Sequence, residues 1–343
     1  MIGQRRLVLE PRAVPLGGVR GMEVLRVLPH RNLPTIGAWC FLDRFGPAET
    51  RMRVEPHPHI GLQTVTWPLV GEIRHRDSLG SDADLRRGQL NLMTAGNGIS
   101  HSEYSVGDGP VPLDALQFWV VLPEYARHGD GGFERHTDLP TTTLPSATGS
   151  DATATVVLGE FAGVHSPATV HTPIVGAEIV VPAGTTVRLP LRPEWEHALL
   201  LVEGDAAVPE HAMTRNDMLY LGDSRDGVEV TSSEGGLLFL LGGEPFEDEI
   251  VMWWNFAGRS HDEIVAARED WEAASARFGV VEGHDQRIPA PPLPPVRLMP
   301  RSRTLRPPPA EALPLIQALP PTQALLTLPA CPHAAACPRA GSS

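Results

Sequence analysis

Short runs of apolar and β-branched residues, broken by Gly, Pro, Asn and Asp, fill the chain from Arg6 to about Leu122. Val65 to Val70 runs into Gly71-Glu72, Leu90 to Met93 into Ala95-Gly96-Asn97-Gly98, and Leu116 to Leu122 into Pro123. Runs of this length bounded by turn residues predict β-strands, and no long helical period interrupts them. Residues 129 to 152, with GDGG and TTTLPSATGSD, are poor in apolar positions and predict a linker or exposed connection. The β texture returns from about Thr153 to Gly243, in Thr155 to Leu158, Glu178 to Val181, Thr186 to Leu189, Ala198 to Val202 and Leu237 to Leu241. HALLLVEGDAAV, from His197 to Val208, repeats the strand, turn and strand of TVTWPLVGEIR, from Thr64 to Arg74. Weak repetition of this kind predicts two fused copies of one barrel or sandwich.

One amphipathic helix is expected at 261–278. Ser260 and Glu263 have capping-box spacing, and Ile264, Ala267, Trp271, Ala274 and Phe278 recur three or four residues apart before Gly279. Pro289 to Pro338 then holds fifteen of the 35 prolines with little periodicity, which predicts a disordered or extended tail. The expected organisation is a first β domain at 1–130, a linker at 131–152, a second β domain with the helix at 153–285, and the tail at 286–343.

Composition narrows the function. The length of 343 residues suits about two domains of roughly 150 each, and 42% hydrophobic with 20% charged residues is the composition of a chain that folds. A net charge of -13 repels phosphate and disfavours direct nucleic-acid binding. There is no lysine, so Schiff-base enzymes, phosphate-loop proteins and kinases are excluded. Three cysteines, Cys40, Cys331 and Cys337, are too few to staple the chain and fit a reduced setting. The N-terminus lacks an apolar stretch followed by a cleavage site, and runs such as Gly236 to Gly242 are too short to cross a bilayer. A cytoplasmic protein without a membrane role is expected.

The chemistry gathers in two places. PHPHIGLQTVTWPLVGEIRHRDSLG carries His57 and His59, and MTAGNGISHSEYS carries His101 and Glu103. Residues two apart on an extended strand share a face. Two such pairs on neighbouring strands would converge as three imidazoles and one carboxylate, a ligand set that a transition metal accepts with positions left open. A lone histidine among the 14 is ordinarily a surface or hydrogen-bonded residue; the doubled spacing is what points to a metal. Gly61, Gly71, Gly88, Gly96 and Gly98 suit tight turns around these strands. His75 and Asp77 have two readings: partners that orient a ligand imidazole, or a solvated hairpin end. Trp67, Phe118 and Trp119 would line an aromatic pocket or, as aromatics on strands more often do, pack a core. Asp43 and Arg44 read as a structural ion pair. Cys331 and Cys337, flanking His333, make a poor second metal site because a free tail is not preorganised.

LDRFGPAE, PHPHIGLQTVTW, GEIRHRDSLGS and MTAGNGISHSE together resemble the pirins, a branch of the cupin superfamily, and EDEIVMWWNFAGRSHDEIVAA resembles the later pirin domain. The resemblance spans roughly residues 5 to 280. It implies an all-β bicupin, two cupin-type β-barrel (double-stranded β-helix) domains face to face, with a short C-terminal helix. It also implies metal only in the first, on His57, His59, His101 and Glu103. Leu62-Gln63 stands where many pirins have Phe-Glu, and the carboxylate ligand is then Glu103. His197 alone marks the corresponding turn of the second domain, which is expected to be metal-free. The cofactor implied is Fe(2+), although three histidines and a carboxylate also accept manganese, nickel, copper or zinc. Two functions follow from the resemblance. One is a quercetin 2,3-dioxygenase acting on a flavonol and O2, with Glu103 as ligand and catalytic base. The other is an iron-binding regulator that docks on a protein partner, a transcription factor or a metabolic enzyme.

Overall fold

The structure is a computed structural model that describes residues 7–15, 22–31 and 33–300. Cys331, Cys337 and the later part of the Pro-rich tail lie outside the described residues. Strands dominate, as the alternation predicts, and the architecture is all-β and cupin-type.

A seven-stranded antiparallel sheet organises the first half. Its order is Gly132–His136, Leu90–Thr94, Leu62–Val70, Val111–Val121, Trp39–Thr50, Glu23–Leu28 and Arg12–Pro15. A four-stranded sheet, Arg53–His59, Ile99–Ser105, Glu72–Asp77 and Asp82–Arg86, goes with it. Phe45, Leu113 and Ala115 of the large sheet and Ile73 of the small one share an apolar cluster. The second half repeats the plan. A large sheet centred on Glu196–Gly204, Gly236–Gly243 and Ile174–Val181 shares a core with the smaller sheet that holds Thr185–Pro190 and Gly227–Ser232.

Because side chains alternate along a strand, the large N-terminal sheet has two working faces. Leu42, Val65, Trp67, Leu116 and Phe118 join Leu200, Phe239 and Leu241 of the second half in the largest apolar cluster. The intervening residues Phe41, Asp43, Thr64, Gln117 and Trp119 line a cavity on the opposite face. Trp39 ties the halves together: its indole N–H lies 3.1 Å from Val175 O and 3.2 Å from Gly242 O. Gly176 permits that approach, since a Cβ there would lie 2.8 Å from the Trp39 ring. Arg44 is a second tie. Its guanidinium donates twice to Asp114, at 2.9 and 2.5 Å, and its remaining Nη1 to Val202 O at 2.6 Å and Asn216 Oδ1 at 2.5 Å.

Three segments differ from the sequence expectation. Residues 131–152 contain strands: Gly132–His136 pairs with Leu90–Thr94, Thr141–Leu144 with Ala152–Phe161, and Ser146–Thr148 with Thr185–Pro190. All three are terminal strands of their sheets, where one side is left unpaired and few apolar residues are needed. The helix is shorter than 261–278. It runs His261–Glu272, Ala274 takes a positive φ of 52°, and a 3-10 turn at Ala276–Phe278 keeps Phe278 in the core. Ser260 caps it as expected, its hydroxyl accepting from Glu263 N at 3.2 Å, while the Glu263 carboxylate accepts from Arg259 N rather than from the cap residue. The start of the expected tail is packed against the body. Ile288 N donates to Pro56 O at 2.8 Å, Trp271 Nε1 to Ile288 O at 2.9 Å, and Ala290 is buried.

The Arg44 tie generates a stability test. Arg44→Met leaves Asp114 buried and unpaired, which costs roughly 3–5 kcal/mol. The double variant Arg44→Met/Asp114→Leu is expected to recover most of that loss, as read by denaturant unfolding.

Candidate metal centre

The strand Arg53–His59 is the edge of the small sheet, beside Ile99–Ser105. The edge position accounts for its proline spacing: Pro56 and Pro58 have no N–H to give a ladder, and an edge strand has a side that needs none. His57 and His59 alternate with them and share the inner face. In the antiparallel register His101 lies across from His57 and Ile99 across from His59, and a bulge between His101 and Glu103 places Glu103 opposite Val54. On the other side, His101 lies across from Asp77 and Glu103 across from His75. Gly61, just after His59, has a φ of +67°, and a side chain there would collide with the Ala257 carbonyl.

Ring nitrogens of His57, His59 and His101 all lie within 4.8 Å of one another. Glu103 falls in a second such group with His101 and His75. The three expected histidines are therefore brought together, while Glu103 meets His101 in a separate group with His75 and is not grouped with His57 or His59. His57 Nδ1 donates to Glu55 O at 2.9 Å and His59 Nδ1 to Asn255 O at 3.1 Å. Both rings then aim a bare Nε2 lone pair at the cluster. His59 Nε2 and His101 Nε2 are 3.1 Å apart. Two nitrogens take such a separation when both bind one ion at about 2.0–2.1 Å. The residues present fit a divalent transition metal.

Electrostatics point the same way. Burial lowers the His57 pKa to about 4 and pushes those of His59 and His101 well below the usual imidazole range, with charge on neighbouring histidines adding to the effect. Neutral imidazoles are the form that binds metal. Burial raises the Glu103 pKa, opposed by the His75 charge and by a hydrogen bond from Thr66. A cation at the cluster would favour the carboxylate that burial disfavours.

The cluster opens on a cavity of about 350 Å³. Phe41 and Trp119 stack on its wall with ring centroids 3.9 Å apart, and Trp119 meets the His59 ring edge-on. Met52, Val54, Ile288 and Pro289 add apolar surface. All three aromatics singled out in the sequence are in the core cluster, and Trp119 also lines this cavity. Asp43 and Arg44 do not pair with each other: Asp43 binds Arg26 at 2.7 Å beside the cavity, and Arg44 faces away to Asp114. Gln63 also faces away, donating to Thr94 Oγ1 at 3.0 Å and Thr169 O at 3.1 Å. His197 is buried and belongs to no potential metal-binding group among the described residues.

His75 and Asp77 are buried, not solvated. His75 Nε2 lies 3.1 Å from Asp77 Oδ2, and His75 Nδ1 lies 3.3 Å from His101 Nδ1. Phe41, Asn255 and Ile288 were not singled out by sequence reasoning. For Phe41 the signal was available, because it shares alternation with Asp43 and Phe45. For Asn255 and Ile288 there was none, since their roles depend on contacts across the fold.

Two β halves of jelly-roll type, the first holding a histidine and carboxylate cluster at a cavity, define the class: a bicupin of the cupin superfamily. Family profiles refine this. The Pirin profile matches residues 21–120 and the Pirin C-terminal cupin domain matches residues 176–279. The chain belongs to the pirin family. It is 43% identical over 288 residues to a Pseudomonas aeruginosa protein named putative quercetin 2,3-dioxygenase, covering 82% of this chain and 89% of that one. It is 34% identical over 293 residues to a pirin-like protein of Caulobacter vibrioides, covering 83% and 99%. Among solved structures, a quercetin 2,3-dioxygenase from Acinetobacter baumannii matches with a TM-score of 0.79 and 39% identity, over 87% of this chain and 98% of that one. No helix among the described residues is long and apolar enough to cross a membrane.

The depressed imidazoles carry a pH signature. An unfolded histidine titrates near 6.5, whereas His57 and His197 in the fold titrate near 4, so below pH 6.5 protons favour the unfolded chain. Each such histidine removes up to about 1.4 kcal/mol of stability per pH unit across that window. The metal-free protein is expected to lose melting temperature steadily between pH 6.5 and 4, by calorimetry. A flat profile would count against buried neutral imidazoles.

Proposed function

We propose that the protein is a metal-dependent dioxygenase that opens the oxygen heterocycle of a flavonol such as quercetin, with iron held by His57, His59, His101 and Glu103. The observation that carries this reading is a desolvated three-imidazole cluster and a buried carboxylate at a cavity lined in part by Phe41 and Trp119. The similarity to proteins named quercetin 2,3-dioxygenase supports it.

Bound at this cluster, iron supplies Lewis acidity that lowers the pKa of a coordinated substrate hydroxyl and leaves positions open for further ligands. The protein does the rest by position. Glu103 accepts the hydroxyl proton on its carboxylate, and burial, which raises its proton affinity, suits it to that task. Thr66 Oγ1, 3.1 Å from Glu103 Oε1 and 3.0 Å from Gln117 Oε1, holds the carboxylate in place. Trp119, held by its stack on Phe41, gives the cavity an aromatic lining beside His59. Met52, Val54 and Ile288 exclude water from the electron-rich ring. In the overall reaction, the flavonol and one O2 give a depside and carbon monoxide.

The test is aerobic incubation of the iron-loaded protein with quercetin, following flavonol absorbance and carbon monoxide release together. Glu103→Ala and His101→Ala, if folded, are expected to lose roughly 10²-fold or more of the rate. Iron-loaded protein that turns over no flavonol in a panel would overturn the enzyme reading and favour the regulator.

A further inference from the structure

We infer that Asp77, acting through His75, decides which nitrogen of His101 carries its proton, and so makes His101 able to hold a metal ion. Two of the three clustered histidines need no such help. His57 and His59 turn Nδ1 toward backbone carbonyls, which only accept, so their protons must sit on Nδ1 and their Nε2 atoms must be bare. His101 is different. Its Nδ1 faces another imidazole nitrogen, His75 Nδ1, at 3.3 Å, and an imidazole nitrogen either donates or accepts. The contact by itself leaves the direction open.

The far end of His75 resolves it. Its Nε2 lies 3.1 Å from Asp77 Oδ2. The other carboxylate oxygen, Oδ1, accepts from Leu79 N at 2.9 Å and Ser81 N at 3.0 Å. A carboxylate held this way offers only an acceptor to His75. The His75 proton therefore sits on Nε2, its Nδ1 is a lone pair, and that lone pair accepts from His101 Nδ1–H. His101 Nε2 is then bare at 3.1 Å from the bare Nε2 of His59, a facing of two lone pairs that the bond to His75 must outweigh until a cation enters between them. Phe133 stacks on the His75 ring at 4.5 Å and 15°, which fixes the plane of the relay. Asp77 and His75 are positioning residues, each a single contact removed from the one it controls.

Asp77→Asn tests this without changing shape. The two backbone N–H groups require an oxygen at Oδ1, so the amide nitrogen takes the Oδ2 place and donates to His75 Nε2. His75 must then carry its proton on Nδ1, and His101 must accept there and move its own proton to Nε2, into the cluster. The loss of an outer partner of a metal-bound histidine typically costs 10–100-fold in metal affinity. We expect a loss in that range for Asp77→Asn, measured by titrating the full chain with Co(II) and following its visible bands under chelator competition. In a His75→Phe background the same Asp77 substitution is expected to change Co(II) affinity less than twofold, because the relay is already cut. A purely structural role for Asp77 would persist in that background.

Nitrogen-15 histidine spectra of the metal-free protein read the proton directly: on Nδ1 of His101 in the parent chain and on Nε2 in Asp77→Asn. A parent chain with the His101 proton on Nε2 would overturn the inference. So would an Asp77→Asn variant with parental affinity, or an equal loss in both backgrounds. The inference rests on the metal reading above but uses no flavonol, so a failed dioxygenase assay leaves it standing.

Discussion

The constraint on which this structure depends is the desolvation of three imidazoles that converge on one another, with a buried carboxylate beside one of them. Three imidazoles and a carboxylate removed from water would ordinarily be a liability, since each must find a partner or shift its ionisation. Here the outward nitrogens face Glu55 O, Asn255 O and His75, and the Nε2 atoms of His59 and His101 face each other inside the cluster. The fold's task is to hold those outward partners still.

It does so by giving both faces of one sheet separate duties. The face bearing Leu42, Trp67 and Phe118 is pressed against the second half, which anchors the sheet through Trp39 and Arg44. The other face carries Phe41, Thr64, Gln117 and Trp119 to the cavity, with Phe41 and Trp119 also buried in the core cluster. The second half works as ballast: its own interior is filled with aliphatic side chains, as in Val187, Leu199 and Leu240.

Much of this was legible in the amino-acid order. The His57/His59 and His101/Glu103 spacings could be read because a strand repeats every two residues, and a short step in sequence becomes a shared face. His75 and Asp77 have the same spacing and were visible as a pair. Their direction toward His101 was not, because it depends on the register that sets His101 across from Asp77. The strands in 131–152 were hidden by their edge positions, which remove the apolar alternation that marks a buried strand. The wall at Ile288 and Pro289 was hidden by composition, since proline-rich chain reads the same whether it is free or packed along a groove. The break at Ala274 was hidden because Trp271 and Phe278 kept helical spacing across a turn that is not α-helical.

The strand Ile99–Ser105 looks both ways. Its inner residues, His101 and Glu103, face the cavity. On its outer side Ser100 Oγ donates to Phe278 O at 3.0 Å, and His284 lies 3.0 Å from both Ser102 Oγ and Tyr104 Oη. Asn255, Phe278, His284 and Ile288 are all made long after the strands they support. A ribosome must therefore release nearly the whole body of the protein before the pocket has its final walls, and an ion arriving earlier would meet a site lacking the Asn255 carbonyl behind His59. In this fold a later-synthesised stretch finishes what earlier strands begin.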